Sequence, residues 1–273
     1  MRYVPLPFHP LLTSAYPALV HRWLYDIPGI LHRDLSLHNI MCRLVMEMNA
    51  RGKQEQKVYG VLTDYDLSSW KKHLQHDYTS TSRQRTGTPP YMAQELLKGS
   101  SPTHLYRHDV ESLFYIVLLL GARHTFGPGT DGKVVMREGV PPYQKWFNGK
   151  DYETLGSIKY DFISNQQPIE LSPAFEDFRP WLEGLQGYFS DGFDYARQYK
   201  KNQRKLLSQK REPDGVAPTP TPFDDETLGG HVDYSDIIEL TQKLKGQLEG
   251  LIVRYNPTPP PLLTPIGAVQ ADS

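Results

Sequence analysis

The chain has 273 residues, enough for one large domain or two small ones around a sizeable buried core. Lysine plus arginine number 30 and aspartate plus glutamate 31, a formal charge of −1, which argues against a protein made mainly to coat nucleic acid or an acidic membrane. The single cysteine, Cys42, excludes an internal disulfide framework and any multi-cysteine metal site.

Prolines number 23 and cluster in residues 1–17, 213–222 and 257–265, which read as loop. The longest apolar run, Phe114–Gly121, is far short of the ~20 residues a membrane helix requires. Nothing at the N-terminus reads as a signal peptide. The expectation is a soluble intracellular protein, cytoplasmic or nuclear, with neither a membrane nor a specific nucleic acid as partner.

In chain order, the apolar positions Leu11, Leu12, Tyr16, Leu19, Val20, Trp23 and Leu24 follow helical spacing up to Ile30, with a kink expected at Pro17. Residues 40–48 and 58–63 are predicted strands joined by the polar loop Asn49–Lys57. Cys42 is expected to be a buried strand residue, because no activating charge lies nearby in sequence. Ser68–Thr86 is polar and aperiodic, a long surface loop, and Asp109–Leu120 is apolar nearly all round, a buried helix. Gly127–Val134 fits G-x-G-x-x-G-x-V, yet it lies after the chemistry-bearing segments and reads as a surface turn. Phe175–Phe189 is amphipathic, and Tyr234–Val253 is a further predicted helix. Arg197–Arg211 holds seven Lys/Arg in fifteen residues and reads as a solvated helix end rather than a nuclear-import or nucleic-acid patch. Lys210–Pro222 has linker composition.

Three segments carry chemistry. In His32-Arg33-Asp34-Leu35-Ser36-Leu37-His38-Asn39, an Asp and an Asn five positions apart, between a helix and a strand, can face one substrate from a single loop. In Leu62-Thr63-Asp64-Tyr65-Asp66 a strand ends in a carboxylate. The third is Gly87-Thr88-Pro89-Pro90-Tyr91-Met92-Ala93-Gln94-Glu95, followed closely by Asp109-Val110-Glu111-Ser112-Leu113. In this order and spacing they resemble the second half of a eukaryotic protein kinase, with its H-R-D-L-x-x-x-N, D-F-G and A-P-E signatures. The similarity is closest to the fungal-type protein kinase family, through "HRDLSLHNI", the Asp64-Tyr65-Asp66 triplet and "ETLGGHV" at 226–232, and it covers roughly residues 15–255.

The resemblance implies a mostly α fold with a small β-hairpin: a protein-kinase-like C-terminal lobe, with the N-terminal β lobe absent. The lobe would occupy residues 1–209. A proline-rich linker would follow over 210–227, then a C-terminal helix packing on the lobe over 228–255 and a disordered tail over 256–273. The implied activity is ATP-dependent phosphorylation of serine or threonine in a protein substrate. Asp34 would accept the attacking hydroxyl's proton, Asn39 and Asp64 would hold magnesium on the ATP phosphates, and Thr88 would contact the catalytic aspartate. Glu95 would form a structural salt bridge, and Asp109 would hold the catalytic loop's backbone. His32 would be a packed core histidine. The Thr79–Ser82 run with Thr86 reads first as a flexible polar loop; the alternative reading is an activation-loop phosphosite whose phosphate would pair with Arg33 and order the loop.

Four departures stand out. Ser36 replaces the usual lysine, Asp66 the D-F-G glycine and Gln94 the A-P-E proline, and 25 residues separate Asn39 from Asp64. Asp66 should make its turn less free to flip. Only 31 residues precede His32, with no lysine and one glycine, Gly29, so a glycine-rich loop and clamp lysine are expected to be missing and the chain to be inactive or truncated. Two other readings remain: a kinase-lobe scaffold or regulatory binding protein without turnover, with an exposed apolar patch beside the site, and a small-molecule kinase, against which the Thr88–Glu95 segment speaks.

Overall fold

The computed structural model describes residues 3–5, 15–49, 52–70, 87–98, 103–126, 134–148, 151–209 and 222–245. Its first half holds β1 (Tyr3–Pro5), α1 (Ala15–Asp26), β2 (Ile30–Leu31), β3 (Ile40–Met48), β4 (Gln54–Leu62) and β5 (Ser69–Trp70). After these come α2 (Gln94–Leu97), α3 (Tyr106–Arg123), β6 (His124–Phe126) and β7 (Val134–Met136). The remainder is helical: α4 (Lys145–Asn148), α5 (Tyr152–Ser164), α6 (Arg179–Gln209) and α7 (Tyr234–Lys245), with short 3-10 turns at Leu37–Asn39 and Pro173–Phe178. Helix dominates, as expected.

The β content exceeds a single hairpin. β3 and β4 form the predicted pair, in register from Ile40↔Leu62 to Met48↔Gln54, and β1 adds a third strand. The polar residues Gln54–Lys57, expected in the loop, continue β4, as an antiparallel ribbon with a solvated side allows. The loop shrinks to a turn in which Gly52, at φ +71, donates its N–H to the Asn49 carbonyl. Ser69 and Trp70, expected in loop, pair with Leu31 and Ile30. β6 and β7 form a further small ribbon.

α3 is the central post. Every residue from Tyr106 to Ala122 is buried, and its apolar part packs against Leu171, Phe175, Leu182 and Leu185 within one continuous core. α2 packs on α5, α5 on α6, and α6 on α7. The first helix starts at Ala15, so Pro17 sits in its first turn, where no intrahelical N–H bond is lost. α6 runs without a break from Arg179 to Gln209, so the amphipathic Phe175–Phe189 stretch and the solvated helix end expected from Arg197 belong largely to one helix. Beyond Phe193 its apolar stripe thins, and a solvated helix leaves little periodic signature.

α7 is tied to α6 by the Trp181 indole N–H, which donates to Thr241 Oγ1 at 3.0 Å. Residues 222–227, expected as the end of the linker, are held on the lobe: Phe223 packs on Tyr199 at 5.0 Å between ring centroids, and Tyr25 donates to Glu226. Residues 71–86, 127–133, 210–221 and 246–273 lie outside the described residues, and with them the Thr79–Thr86 loop, the glycine motif, most of the linker and the tail. Cys42 takes its predicted place in β3, opposite Gly60, its side chain being outside the described residues. No helix among the described residues is long and apolar enough to cross a membrane.

Candidate active site

The site is organised from a buried carboxylate outward. Asp109, in the first turns of α3, is fully buried. Its Oδ2 accepts the backbone N–H groups of His32 at 3.1 Å and Arg33 at 3.2 Å, and the His21 Nε2–H at 2.8 Å. Its Oδ1 accepts the His104 Nε2–H at 2.8 Å. Burial opposes ionisation, but the His104 and His21 donors prevail and hold the carboxyl well below the usual range. The negative end also faces the N-terminus of α3, where the helix dipole favours it. His21 Nδ1 meets the Tyr234 hydroxyl, so α7 is linked to this carboxylate through one imidazole.

This anchor holds Arg33 at φ +70, a left-handed conformation that costs a non-glycine residue about 1–3 kcal/mol. The turn it makes presents Asp34 to the surface, partly exposed. Asp34 Oδ1 accepts the Thr88 N–H at 3.1 Å and the Thr88 hydroxyl at 3.4 Å. Asn39 Nδ2 donates to the Asp34 main-chain carbonyl at 2.8 Å and to Oδ2 at 3.4 Å. Thr88 can approach because Gly87, at φ +126, has no Cβ, which would lie 2.7 Å from Met92 Cγ.

The β3–β4 register continues into the site. Thr63 donates its N–H to the Asn39 carbonyl at 2.9 Å, which sets Asn39 beside the strand end that carries Asp64. Asp64 is exposed and left-handed, at φ +63, a conformation that aspartate tolerates better than most residues. Position 66, where the resemblance has glycine, keeps an ordinary φ: the special conformation sits at Asp64. His32 Nε2–H donates to the Thr63 carbonyl at 3.0 Å, and its ring lies 4.9 Å from that of Tyr65. Burial lowers its pKa, which suits a packed neutral imidazole.

Asn39 spends its amide nitrogen on Asp34, which leaves its side-chain oxygen uncommitted to Asp34, while its main-chain carbonyl is bound to Thr63, next to Asp64. Two hard oxygen donors suit magnesium, which keeps several waters and takes one or two protein ligands together with substrate phosphates.

Below the Thr88 loop the scaffold is ionic. Glu95 Oε2 pairs with Arg107 Nη2 at 2.7 Å and accepts the His108 Nε2–H at 3.2 Å. Against the effect of burial, His108 and the Arg107 guanidinium pull the Glu95 carboxyl down to about 2. His108 Nδ1 accepts the Leu105 N–H, and burial beside Arg107 lowers its pKa to about 3, so the ring is neutral. Gln94, in the place of a proline, donates its N–H to the buried Glu111 Oε1 at 2.8 Å, which also accepts the Tyr115 hydroxyl. Burial pushes the Glu111 carboxyl up to about 7.

Lys159 of α5 is fully buried and donates to the carbonyls of Pro89, Pro90 and Met92 at 3.2, 2.8 and 2.7 Å, with Tyr115 below it at 4.0 Å. Burial lowers its pKa, while three acceptors and an aromatic face suit the ammonium form.

The structure thus brings Asn39 and Thr88 each onto Asp34 and sets Asp64 on the adjacent strand end. Glu95 and Asp109 have ionic and backbone partners of the kind the resemblance implies. His21, His104, Glu111 and Lys159 were not singled out from sequence: a solitary buried side chain of this kind has no local pattern, and apart from the near-neighbour pairs His104–Asp109 and Glu111–Tyr115 their partners lie 17 to 213 positions away. Residues 15–120, which contain every residue described at this site except Lys159 and Tyr234, match the model of the fungal protein kinase family. No curated protein and no solved structure matches the chain.

Proposed function

From a segment, residues 15–120, that matches the fungal protein kinase family, we propose that the chain carries the phosphoryl-transfer centre of an ATP-dependent protein serine/threonine kinase. The observation that carries this reading is the convergence on Asp34 of Thr88 through Oδ1 and Asn39 through Oδ2 and the main-chain carbonyl. Two loops far apart in sequence hold one partly exposed carboxylate in a fixed orientation.

A substrate hydroxyl approaching Asp34 would hand its proton to the carboxylate, while Thr88 keeps the group from rotating away. The Thr88–Ala93 loop, tethered from below by Lys159, would form the platform on which a protein substrate lies. Asn39 and Asp64 would hold magnesium, which when bound neutralises charge on the transferring phosphoryl group. A nuclear or cytoplasmic setting accords with these substrates.

Residues 1–31 offer no lysine to clamp phosphates, so transfer by these 273 residues alone should be very slow. Positioning can be worth ~7–11 kcal/mol, so losing half of it lowers the rate by about a thousandfold or more. A scaffolding role without turnover has one observation in its favour: Tyr65 and Leu67, which follow Asp64 directly, and Trp70, paired with Ile30, are exposed large apolar side chains that a covering partner would bury.

The test is phosphate transfer from Mg-ATP to a mixed serine/threonine peptide pool. The expected result is trace transfer by the chain, rising about a thousandfold when a lobe with a glycine-rich loop and strand lysine is fused ahead of it, and abolished by Asp64→Ala or Asp34→Asn. Turnover that survives Asp64→Ala overturns the site assignment. Robust transfer by the 273 residues alone overturns the expected weakness.

A further inference from the structure

Between α2, α5 and α6 the surface opens into a groove of about 690 Å³ whose wall is the second half of α6. Arg197, Lys200, Lys201, Arg204 and Lys205 line it, at positions i, i+3, i+4, i+7 and i+8, which fall on one helical face. All five are exposed. Its floor is apolar, made by Phe193 and the ring of Tyr160. A second concavity of about 580 Å³ shares Glu95, Tyr160 and Lys200 with the first, and extends it toward Lys98, whose ammonium lies 4.1 Å above the Tyr160 ring.

The charge in this groove is not internally balanced. Arg197 pairs with Asp194 on its own helix. Glu95 faces the groove but is committed to Arg107 and His108. Asp225 lies only at the end of the second concavity. Among the described residues, Lys200, Lys201 and Arg204 have no carboxylate partner. In a chain with a formal charge of −1, three cations with no carboxylate partner among the described residues thus stand along one wall of one groove.

We propose that this groove docks an acidic segment of a partner protein, in extended form, with one apolar side chain on the Phe193–Tyr160 floor and carboxylates along the α6 stripe. Eight helical steps span about 12 Å at ~1.5 Å per residue, which an extended peptide covers with about four residues at ~3.3 Å each. A nucleic-acid backbone or anionic bilayer calls for a broad basic face, whereas these cations line one wall of a concavity with an aromatic floor. The proposal adds a partner's chemistry to the catalytic reading and does not depend on phosphoryl transfer, because binding alone is measured.

The experiment titrates the 273-residue chain into a fluorescein-labelled heptapeptide of glutamates around a central phenylalanine, read by anisotropy. Binding is expected, weakening as salt rises, and weakened at least about tenfold in the combined variant Lys200→Glu, Lys201→Glu, Arg204→Glu. The same variant should gain binding to the matching lysine peptide, a gain that an unfolded chain would not show. Exchanging the peptide's phenylalanine for serine should also weaken binding to the native chain. Unchanged affinity of the charge-reversed variant for the glutamate peptide overturns the proposal. So does displacement of that peptide by a single-stranded oligonucleotide or by phosphatidylserine vesicles that bind more tightly.

Discussion

Removing the Asp109 carboxylate separates the anchoring of the catalytic loop from its chemistry. In Asp109→Ala four donors lose their acceptor at once: the N–H groups of His32 and Arg33, and the Nε2–H groups of His21 and His104. Hydrogen bonds to a charged group are worth ~1.5–3 kcal/mol each, and a buried donor left alone carries its own desolvation penalty. Allowing for water entering the space and for non-additivity, the loss should reach about 5 kcal/mol, a large part of the ~5–15 kcal/mol that keeps a domain folded.

Asp109→Asn should be milder, because its amide oxygen can take the Oδ2 place and keep three bonds, while its NH₂ faces His104. The loss expected there is about 2–3 kcal/mol. Urea unfolding followed by tryptophan fluorescence measures both variants, and hydrogen exchange at His32 and Arg33 reports the loop. The carboxylate's folded pKa is depressed, so its stabilisation is present at neutral pH and fades only as pH falls below the ~3.9 of an unfolded aspartate. A loss under about 1 kcal/mol for Asp109→Ala would refute the anchoring role.

Restoring the family's proline should harm this chain: Ala93, at φ −58 and ψ 146, and the first position of α2 both suit Gln94→Pro sterically, but the N–H given to buried Glu111 disappears. Thermal unfolding should show a loss of about 1–3 kcal/mol, and a neutral or stabilising result refutes it. For Glu111 the folded pKa of about 7 lies above the ordinary 4.5, so its favourable contribution is complete below 4.5 and lost as pH rises through 7. The stability difference between the native chain and Glu111→Gln should therefore shift against the native chain by up to about 3 kcal/mol between pH 5 and 8, and a flat difference would count against the buried acid.

The carboxylates and amide at the site were legible because three short motifs hold them in a recognisable order: Asp34, Asn39, Asp64 and Thr88 all lie in loops whose neighbours carry the pattern. The buried helix around Val110–Leu120 was legible from its unbroken apolar character. What escaped notice is non-local. Lys159 sits in an ordinary amphipathic helix, and only folding brings its ammonium to three carbonyls of the Pro89–Met92 turn. His21 likewise gains meaning only from Asp109 and Tyr234. The helical, solvated character of Arg197 onward was legible from its cations, but its continuity with Phe175–Phe189 in one helix was not, because the apolar rhythm that marks the first part fades between them, and Ser69–Trp70 became a strand through pairing with Ile30–Leu31 rather than through local propensity.

Lys159 and the α6 cations respond oppositely to dissolved salt. Mobile ions gather around Lys200, Lys201 and Arg204, which stand in solvent, and blunt their field within a Debye length of ~8 Å at physiological strength. They have no path to Lys159, which is fully buried between the Pro89–Met92 carbonyls and the Tyr115 ring. A change in ionic strength can thus release whatever charged chain lies along α6 while the turn that bears Thr88, and through it the orientation of Asp34, stays where it is.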